Sequence, residues 1–248
     1  MYFKTEGLVL RETEYKDADK LLTVLSKYRG RLTMRARGVR SRNSKLKSGC
    51  QLLAYAEFTV FEGRGSMTVN EAVPIELFMP LREDIELLSL ASYFAQVAEV
   101  LSQEDDPNPA LLSMCLNGCL ALTKLKRPQR LVKAAFELRA ACLAGYEPML
   151  DGCTVCGAPE PDRFSVSGGV LQCSGCLVPG EHGVRLPVHS GALAAMRYIV
   201  TCDLKRLFSF QLGSEALKEL GDIAETYLLT QLERGFFTLD FYKSLLIT

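Results

Sequence analysis

Four cysteines in one short segment have the types and the spacing of a metal site. Cys153 and Cys156 form one C-x-x-C pair, and Cys173 and Cys176 form a second pair after sixteen intervening residues, which are expected to form a short hairpin. Each C-x-x-C turn directs two thiolates toward one point, and two such turns complete the tetrahedral set of four sulfurs that Zn²⁺ prefers. We therefore predict one structural zinc ion, because four cysteine ligands leave no open coordination position for catalysis.

The same thiols have other interpretations. Two independent redox dithiols are one, disulfide bonds are another, and a site of three cysteines with His182 or His189 is a third. The N-terminal residues mix charged and apolar side chains and do not resemble a signal peptide, so we expect a cytoplasmic protein. Thiols stay reduced in that compartment, which disfavours disulfides.

A basic stretch near the N-terminus is the second candidate site. From Lys20 to Ala56 there are ten Lys and Arg residues and no Asp or Glu, although the formal net charge of the chain is zero. Such a stretch favours a polyanionic partner, and its alternative interpretation is a solvated strand face followed by a loop. We predict contacts to nucleic-acid phosphates, without a base code, from Arg35, Arg37, Arg40, Arg42, Lys45 and Lys47.

The elements that would position the basic residues are strands. Five strand-length runs separated by turn residues occupy about the first 80 residues, and several alternate with a period of two. Five short strands with a long basic loop between the third and the fourth predict a small closed barrel of the OB-fold type. Arg35 and Arg37 are two residues apart in the third strand and are expected to project from the same face.

Helical periodicity begins after residue 80 and resumes after the cysteine segment. Helices are expected over 84–102, 110–125, 128–145, 190–200 and 214–235, the last with Ser214 as its N-cap. The predicted fold class is α+β, with an N-terminal OB-fold β-barrel followed by an α-helical domain that carries an inserted four-cysteine zinc module. The predicted segments are 1–80 for the barrel, 81–149 and 181–248 for the two parts of the helical domain, and 150–180 for the zinc module.

Several function classes lack their sequence signals. No run approaches the roughly 20 apolar residues that a membrane-spanning helix needs. There is no Walker loop, no G-x-G-x-x-G between a strand and a helix, and only two histidines to serve a catalytic triad. Clustered carboxylates for a two-metal nuclease are not evident either. We therefore predict that the protein is not an enzyme and does not enter a membrane.

Two longer stretches resemble a known family. The run "GLVLRETEYKDADKLLTVLSKYRGRLTMRARGVRSRNSKL" resembles the N-terminal region of the bacterial recombination-mediator family RecO. The run "FELRAACLAGYEPMLDGCTVCG" resembles the later signature of that family, which leads into a cysteine module that some members lack. The resemblance covers essentially the whole chain in order and implies an OB-fold, a helical domain and, since all four cysteines are present, a zinc module.

The resemblance also implies an activity and partners. RecO-like proteins bind single- and double-stranded DNA, anneal complementary strands without ATP, and work with RecR, and in some bacteria RecF, to help RecA replace single-strand-binding protein. The basic residues Arg35 to Lys45 would then contact the DNA backbone at the bacterial nucleoid. A groove in the helical domain would receive the C-terminal tail of single-strand-binding protein, with Arg127, Arg130 and Arg139 as its candidates beside the alternative of an ordinary solvated helix face.

Two rival functions remain at this point. A zinc-stabilised interaction scaffold would direct the same basic face toward an acidic protein, and an enzyme with an unrecognised site, such as a nuclease, would cleave DNA. Salt-dependent binding to DNA of any sequence favours the mediator over the scaffold, whereas metal-dependent cleavage would favour the enzyme.

Overall fold

A computed structural model describes residues 1–63, 65–176 and 183–246 of the chain. These residues form two compact units, one comprising 1–124 together with 236–248 and the other 125–235. The segment boundaries predicted from sequence were placed where the type of secondary structure changes. The boundaries between the two compact units fall instead at residues 124 and 235. The last helix of the chain belongs to the barrel unit because it packs on a helix that follows the barrel.

The first unit is built on a closed five-stranded barrel with the strand order β1-β2-β3-β5-β4. The strands are β1 (Tyr2–Tyr15), β2 (Asp19–Ser26), β3 (Arg31–Ala36), β4 (Tyr55–Gly63) and β5 (Ser66–Glu76). All pairs are antiparallel except β3 with β5, which run parallel and close the barrel. This is the OB-like barrel that the five runs predicted, and alternating residues of the strands fill its core, including Met34, Phe58 and Val60.

Closure depends on the length of β1. Its N-terminal half pairs with β4 and its C-terminal half pairs with β2, with an irregularity between Val9 and Arg11. Gly7 lies where the two ladders overlap, opposite both Ser26 and Ala56. A Cβ atom at Gly7 would lie 2.5 Å from Cγ1 of Val24, so the close approach of the two strands requires glycine.

Four helices complete the first unit: α1 (Met79–Glu83), α2 (Ile85–Leu101), α3 (Pro109–Thr123) and α7 (Phe237–Leu245). Asp84 caps α2 by accepting hydrogen bonds from the N–H groups of Glu86 and Leu87, and Asn108 caps α3 through the N–H of Leu111. Helix α7 packs on α2, and Gln96 of α2 accepts hydrogen bonds from the N–H and the hydroxyl of Thr238. Helix α7 was not predicted from the sequence, because its nine residues are too few to show a clear helical period.

The second unit combines three helices with a small sheet. The helices are α4 (Gln129–Leu143), α5 (Ser190–Thr201) and α6 (Ser214–Gln231), with a 3₁₀ turn at Leu204–Arg206. The strands β6 (Met149–Cys153), β7 (Arg163–Ser165), β8 (Val170–Gln172) and β9 (Arg185–Pro187) form a sheet in the order β6-β8-β7-β9. The predicted N-cap of α6 was wrong: Gly213 holds that position and Ser214 is the first helical residue, with no side-chain cap.

A buried ion triad joins α4 to α6. Nζ of Lys133 lies 2.8 Å from the Glu137 carboxylate and 2.7 Å from that of Glu225, and the Glu137 side chain has no exposed surface. Burial alone would lower the pKa of Lys133, but the two carboxylates raise it above the ordinary value for lysine. Lys133 is therefore charged at neutral pH.

Lys133→Met should lower the free energy of unfolding of this unit by about 3–5 kcal/mol, because the buried Glu137 carboxylate would lose the lysine charge that offsets its desolvation. Urea denaturation followed by circular dichroism measures the change. Lys218→Met, at an exposed position of α6, is the matched control and should change stability little. Equal stability of the two variants would contradict this account of the triad.

Candidate metal centre and nucleic-acid interface

The four cysteines of the two C-x-x-C pairs meet at one point. Cys153 ends β6 and Cys173 directly follows β8, and these two strands pair with each other in parallel. The sulfur atoms of all four cysteines lie within 4.8 Å of one another, and those of Cys156 and Cys173 are 3.7 Å apart. In a tetrahedral site with metal–sulfur bonds of about 2.3 Å, neighbouring sulfurs lie about 3.8 Å apart. The arrangement therefore fits a single four-coordinate ion.

Backbone turns set this geometry. The Gly157 N–H donates to the Cys153 carbonyl at 2.9 Å and the Cys176 N–H donates to that of Cys173 at 2.9 Å, so each pair encloses one tight turn. Gly157 has a φ of +74°, which favours glycine there. The predicted hairpin between the pairs is present as the antiparallel strands β7 and β8.

The backbone N–H groups and the mutual repulsion of the thiolates favour binding of a cation to the cluster. Backbone N–H groups, above all that of Cys156, lower the pKa of Cys153 to about 6. Hydrogen bonding to Cys156, together with burial and the neighbouring sulfur charges, raises the pKa of Cys176 to about 11. One thiolate thus forms readily while further ones are opposed by like charge, and a bound cation would remove that opposition.

Of the two histidines considered as metal ligands, His189 lies among the described residues and His182 does not. His189 lies at the N-terminus of α5, where its ring is paired with the Glu219 carboxylate, and it is not a member of the cysteine cluster. The alternative of three cysteines with His189 was therefore wrong, and His182 lies outside the described residues. All nine cysteines are free thiols, and the four sulfurs share one centre rather than forming two separate dithiols.

Half of the bases in the acid-free stretch are neutralised by acids from elsewhere in the barrel. Lys27 contacts Glu6 at 3.1 Å and Arg29 contacts Glu62 at 3.1 Å. The remaining pairs are Lys20 with Glu12 (2.9 Å), Arg35 with Asp19 (2.5 Å) and Arg40 with Glu14 (3.2 Å). The surface is consequently less cationic than the sequence stretch alone indicates.

Asp19 is the junction of this network. Its carboxylate accepts from Nε of Arg35 at 2.6 Å and from the N–H of Gly38 at 2.7 Å, at the point where β3 passes into the basic loop. The Gly38 N–H and the Arg35 guanidinium lower the pKa of Asp19. Arg35 also lies over the Tyr15 ring, 5.3 Å from its centroid. Its contacts with Tyr15 and Asp19 therefore hold the chain in place just before the loop.

Five of the six predicted phosphate contacts follow β3, which ends at Ala36, so Arg37 lies outside the third strand in which it was predicted. Of these five, Arg40 is paired with Glu14. In the part of the chain that the structure describes, the side chains of Arg37, Arg42, Lys45 and Lys47 are exposed and have no ion pair with a carboxylate. Leu46 and Cys50 pack on the barrel core, and Gly49 lies directly against Ala72 of β5. The loop is thus anchored by apolar residues while its cations point to solvent.

A cavity of about 510 Å³ lies on the β2–β3 face beside the β4–β5 turn. Its lining includes Arg35 and three residues that the sequence analysis did not select as contacts: Tyr15, Arg31 and Thr33. OB-folds bind oligonucleotides on this face and its flanking loops. The alternation of Arg31, Thr33 and Arg35 along β3 is the sequence signal that could have identified it.

Two of the three arginines proposed for a partner groove make internal contacts instead. Arg127 donates to the carbonyl of Phe210, and Arg139 donates to the carbonyls of Ile199, Val200 and Cys202 at the end of α5. Such bonds satisfy the free carbonyls of a helix C-terminus. Arg130 alone of the three is exposed.

Asp19→Asn should lower stability at neutral pH, because the ionised carboxylate is favoured by Gly38 and Arg35 only in the folded state. Since the folded pKa is depressed, this contribution is present above the unfolded pKa and is lost as pH falls through the folded value. The variant should therefore lose less stability on acidification than the wild type. Thermal melts from pH 7 down to pH 3 measure this, with exposed Asp17→Asn as the control; parallel pH profiles for both variants would refute it.

Family models match nearly the whole chain in two parts. The family model described as Recombination protein O N terminal matches residues 1–78, and that described as Recombination protein O C terminal matches residues 82–240. A DNA repair protein RecO from Acetivibrio thermocellus is 35% identical over 246 residues, covering 98% of this chain and 97% of that protein. Those from Alkaliphilus metalliredigens and Exiguobacterium sibiricum are 29% and 31% identical, covering 99% and 92% of this chain and 100% and 91% of their own lengths.

No helix in the described ranges has the length and apolar character to cross a membrane. An OB-like barrel with an exposed cationic loop, a cysteine cluster able to hold a metal ion, and family matches across nearly the full length all agree. The chain belongs to the RecO family of DNA repair and recombination proteins.

Proposed function

We propose that this chain is a recombination mediator that binds single- and double-stranded DNA and anneals complementary strands without ATP. With RecR, it would help to load RecA onto DNA that is coated by single-strand-binding protein, in the cytoplasm at the nucleoid. Family membership supports the DNA repair role, and the charge distribution of the barrel supports the DNA contact.

The observation that carries the proposal is the set of loop cations. Arg37, Arg42, Lys45 and Lys47 remain exposed and outside the described ion pairs, although the barrel supplies carboxylates for five other bases of the same stretch. Side chains of this kind neutralise phosphates and release the counterions condensed on DNA.

The cavity on the β2–β3 face supports binding of a strand next to this loop. Tyr15 is flanked by Lys16 at 5.4 Å and Arg35 at 5.3 Å from its ring centroid, and it is partly exposed. An aromatic ring beside cations is the usual arrangement for stacking an unpaired base while the backbone is held electrostatically. The β2–β3 face and the loop after β3 would then form one continuous DNA-binding surface, with Arg35 where the two meet.

The proposed mechanism of annealing is charge shielding. Two complementary strands repel each other through their phosphates, and a protein that neutralises several phosphates on each strand reduces that repulsion. No nucleotide hydrolysis is needed for such a step, because base pairing itself supplies the free energy. The protein would act by bringing the strands together.

The cysteine cluster would hold one Zn²⁺ ion through Cys153, Cys156, Cys173 and Cys176. Four thiolates in a closed tetrahedral set make a structural site, which would fix β6 to the β7–β8 hairpin. The ion would thus stabilise the module, and no chemical step is assigned to it.

For the tail of single-strand-binding protein, Arg130 is the candidate whose side chain is exposed. Arg127 and Arg139 would contribute by holding the segment around Phe210 and the end of α5 in place. Their proposed role is therefore to shape the groove rather than to contact the tail.

The test of the function is annealing of two complementary labelled oligonucleotides without ATP, with and without single-strand-binding protein on them. Acceleration at low salt that fades as salt rises supports the mediator. Absence of acceleration with folded, zinc-loaded protein, together with tight binding to an acidic protein, would favour the interaction scaffold. Metal-dependent shortening of the strands would instead favour an enzyme.

The triple variant Arg42→Gln, Lys45→Gln, Lys47→Gln should weaken DNA binding and flatten its salt dependence. Each lost phosphate contact lowers the slope of log K against log salt by about 0.7 on single strands, so the total change approaches about 2. Fluorescence anisotropy over a salt series measures the slope. The control Lys205→Gln, Arg206→Gln, Lys218→Gln removes the same charge from exposed positions of the second unit and should leave the slope near that of the wild type.

Arg35→Ala with Arg37→Ala tests the transition from β3 to the loop, because Arg35 lies in the strand and Arg37 directly follows it. Loss of Arg35 also removes the partner of Asp19, so this variant should lower barrel stability as well as the salt slope. Arg37→Ala alone should lower the slope without the stability change. If affinity and slope are both untouched in the double variant, the assignment of β3 to DNA binding is wrong.

Cys156→Ser should abolish stable zinc binding, because three thiolates no longer complete the tetrahedral set. Metal analysis of the purified protein should find about one zinc per wild-type chain and close to none in the variant. Cys202→Ser, whose residue lies outside the cluster, is the control and should retain the metal. Equal zinc content in all three proteins would refute the site.

A further inference from the structure

The connection between α2 and α3 holds three consecutive acids against the barrel. We call Gln103–Asp106 the acidic strap; it contains Glu104, Asp105 and Asp106. The N–H of Arg31 donates to the Gln103 carbonyl at 2.8 Å, and Gly30 forms a β-bridge with Glu104. These backbone contacts fix the strap at the start of β3, the strand that carries Arg31, Thr33 and Arg35.

Further contacts make the strap rigid. The Arg31 guanidinium donates to the Glu99 carbonyl at 2.9 Å, just before the strap, and Gln103 and Asp106 bridge each other across a tight turn. Gly30 has a φ of +63°, and a Cβ atom there would lie 2.7 Å from the Asp106 carbonyl oxygen. Glycine at this position therefore permits the close approach, and the backbone that carries the three exposed acids is held against the barrel.

The strap forms one wall of the cavity on the β2–β3 face. Glu104 and Asp105 line that cavity together with Tyr15, Arg31 and Arg35. The cavity thus combines an aromatic ring and guanidinium groups with a negatively charged wall. A DNA-binding surface has no need of such a wall for affinity, because carboxylates repel phosphates.

We propose that the acidic strap makes this face selective for unpaired strands over duplex DNA. The inference rests on the proposed DNA-binding function and names the form of DNA that this face accepts. A single strand can direct its phosphates toward the cations and its base edges toward the strap, where carboxylates accept hydrogen bonds from base amino groups. In a duplex each amino group has one hydrogen engaged in pairing and offers only the other, inside the groove, and the second backbone adds phosphates that the carboxylates repel.

The range of the effect sets the conditions of the test. The Debye length is about 10 Å at 0.1 M salt and about 30 Å at 0.01 M, so repulsion by exposed carboxylates is stronger at low ionic strength. Discrimination between the two forms of DNA should therefore be greatest at low salt and should diminish as salt rises.

The experiment compares the wild type with the strap variant Glu104→Gln, Asp105→Asn, Asp106→Asn. Affinities for one labelled oligonucleotide and for its duplex are measured by anisotropy at several salt concentrations. The strap variant should bind the duplex about tenfold more tightly than the wild type at low salt, while binding to the single strand changes by less than about threefold. The ratio of single-strand to duplex affinity should therefore fall.

A matched control separates this local effect from net charge. The variant Glu215→Gln, Asp222→Asn, Glu233→Gln removes three exposed acids of the second unit, and so changes the net charge equally. It should raise both affinities slightly and leave their ratio unchanged. Asp105→Asn alone keeps a residue that tolerates the left-handed backbone at this position, where φ is +56°, and should lower the ratio by a smaller factor.

The outcomes distinguish failure of the inference about the strap from failure of the proposed DNA-binding function. A fall in the ratio for the strap variant, with no fall for the control, supports the inference. Equal gains on both forms of DNA, or an unchanged ratio in folded strap variant and in Asp105→Asn, would overturn the inference while leaving DNA binding intact. Failure of the wild type to bind DNA at all would overturn the proposed function and the inference together.

Discussion

The barrel of this protein depends on one strand that has two partners. The fourteen residues of β1 pair first with β4 and then with β2, and the parallel contact of β3 with β5 completes the ring. The overlap at Gly7 requires a backbone approach that a larger residue would prevent. Closure in turn brings β3 and the β4–β5 turn together on the cavity, so the candidate DNA-binding face depends on it.

The position of each basic residue on the barrel decides whether it is paired with an acid. Acids of β1, β4 and the start of β2 pair with five of the bases, whereas Arg37, Arg42, Lys45 and Lys47 of the loop after β3 stay exposed. Ion pairs of this partly exposed kind contribute little stability individually, but they decide which cations are available to phosphates. Asp19 marks the border, since it binds both the last arginine of the strand and the first turn of the loop.

The second unit follows a different principle, because its small sheet has few residues with which to form a core. Three of its four strands are three residues long, and four sulfurs lie together at one end of the β6–β8 pair. A metal ion supplies stability to modules of this size that apolar burial alone does not provide. The helices α4 and α6 bury apolar side chains and also share the buried Lys133 triad, so this unit has charged groups in its interior.

The sequence by itself determined the features that depend on local patterns: five strands, five of the helices, the hairpin between the C-x-x-C pairs and the cysteine cluster. Alternation, helical period and motif spacing are properties of neighbouring residues, so they are visible without a fold. Only the tertiary structure decided that Arg35, Arg127 and Arg139 make internal contacts and that an acidic segment some 70 residues after Gly30 lies against the β3 face. The physical reason is that hydrogen bonds and Coulomb interactions act between groups that are close in space, and the partners of these groups are remote in sequence.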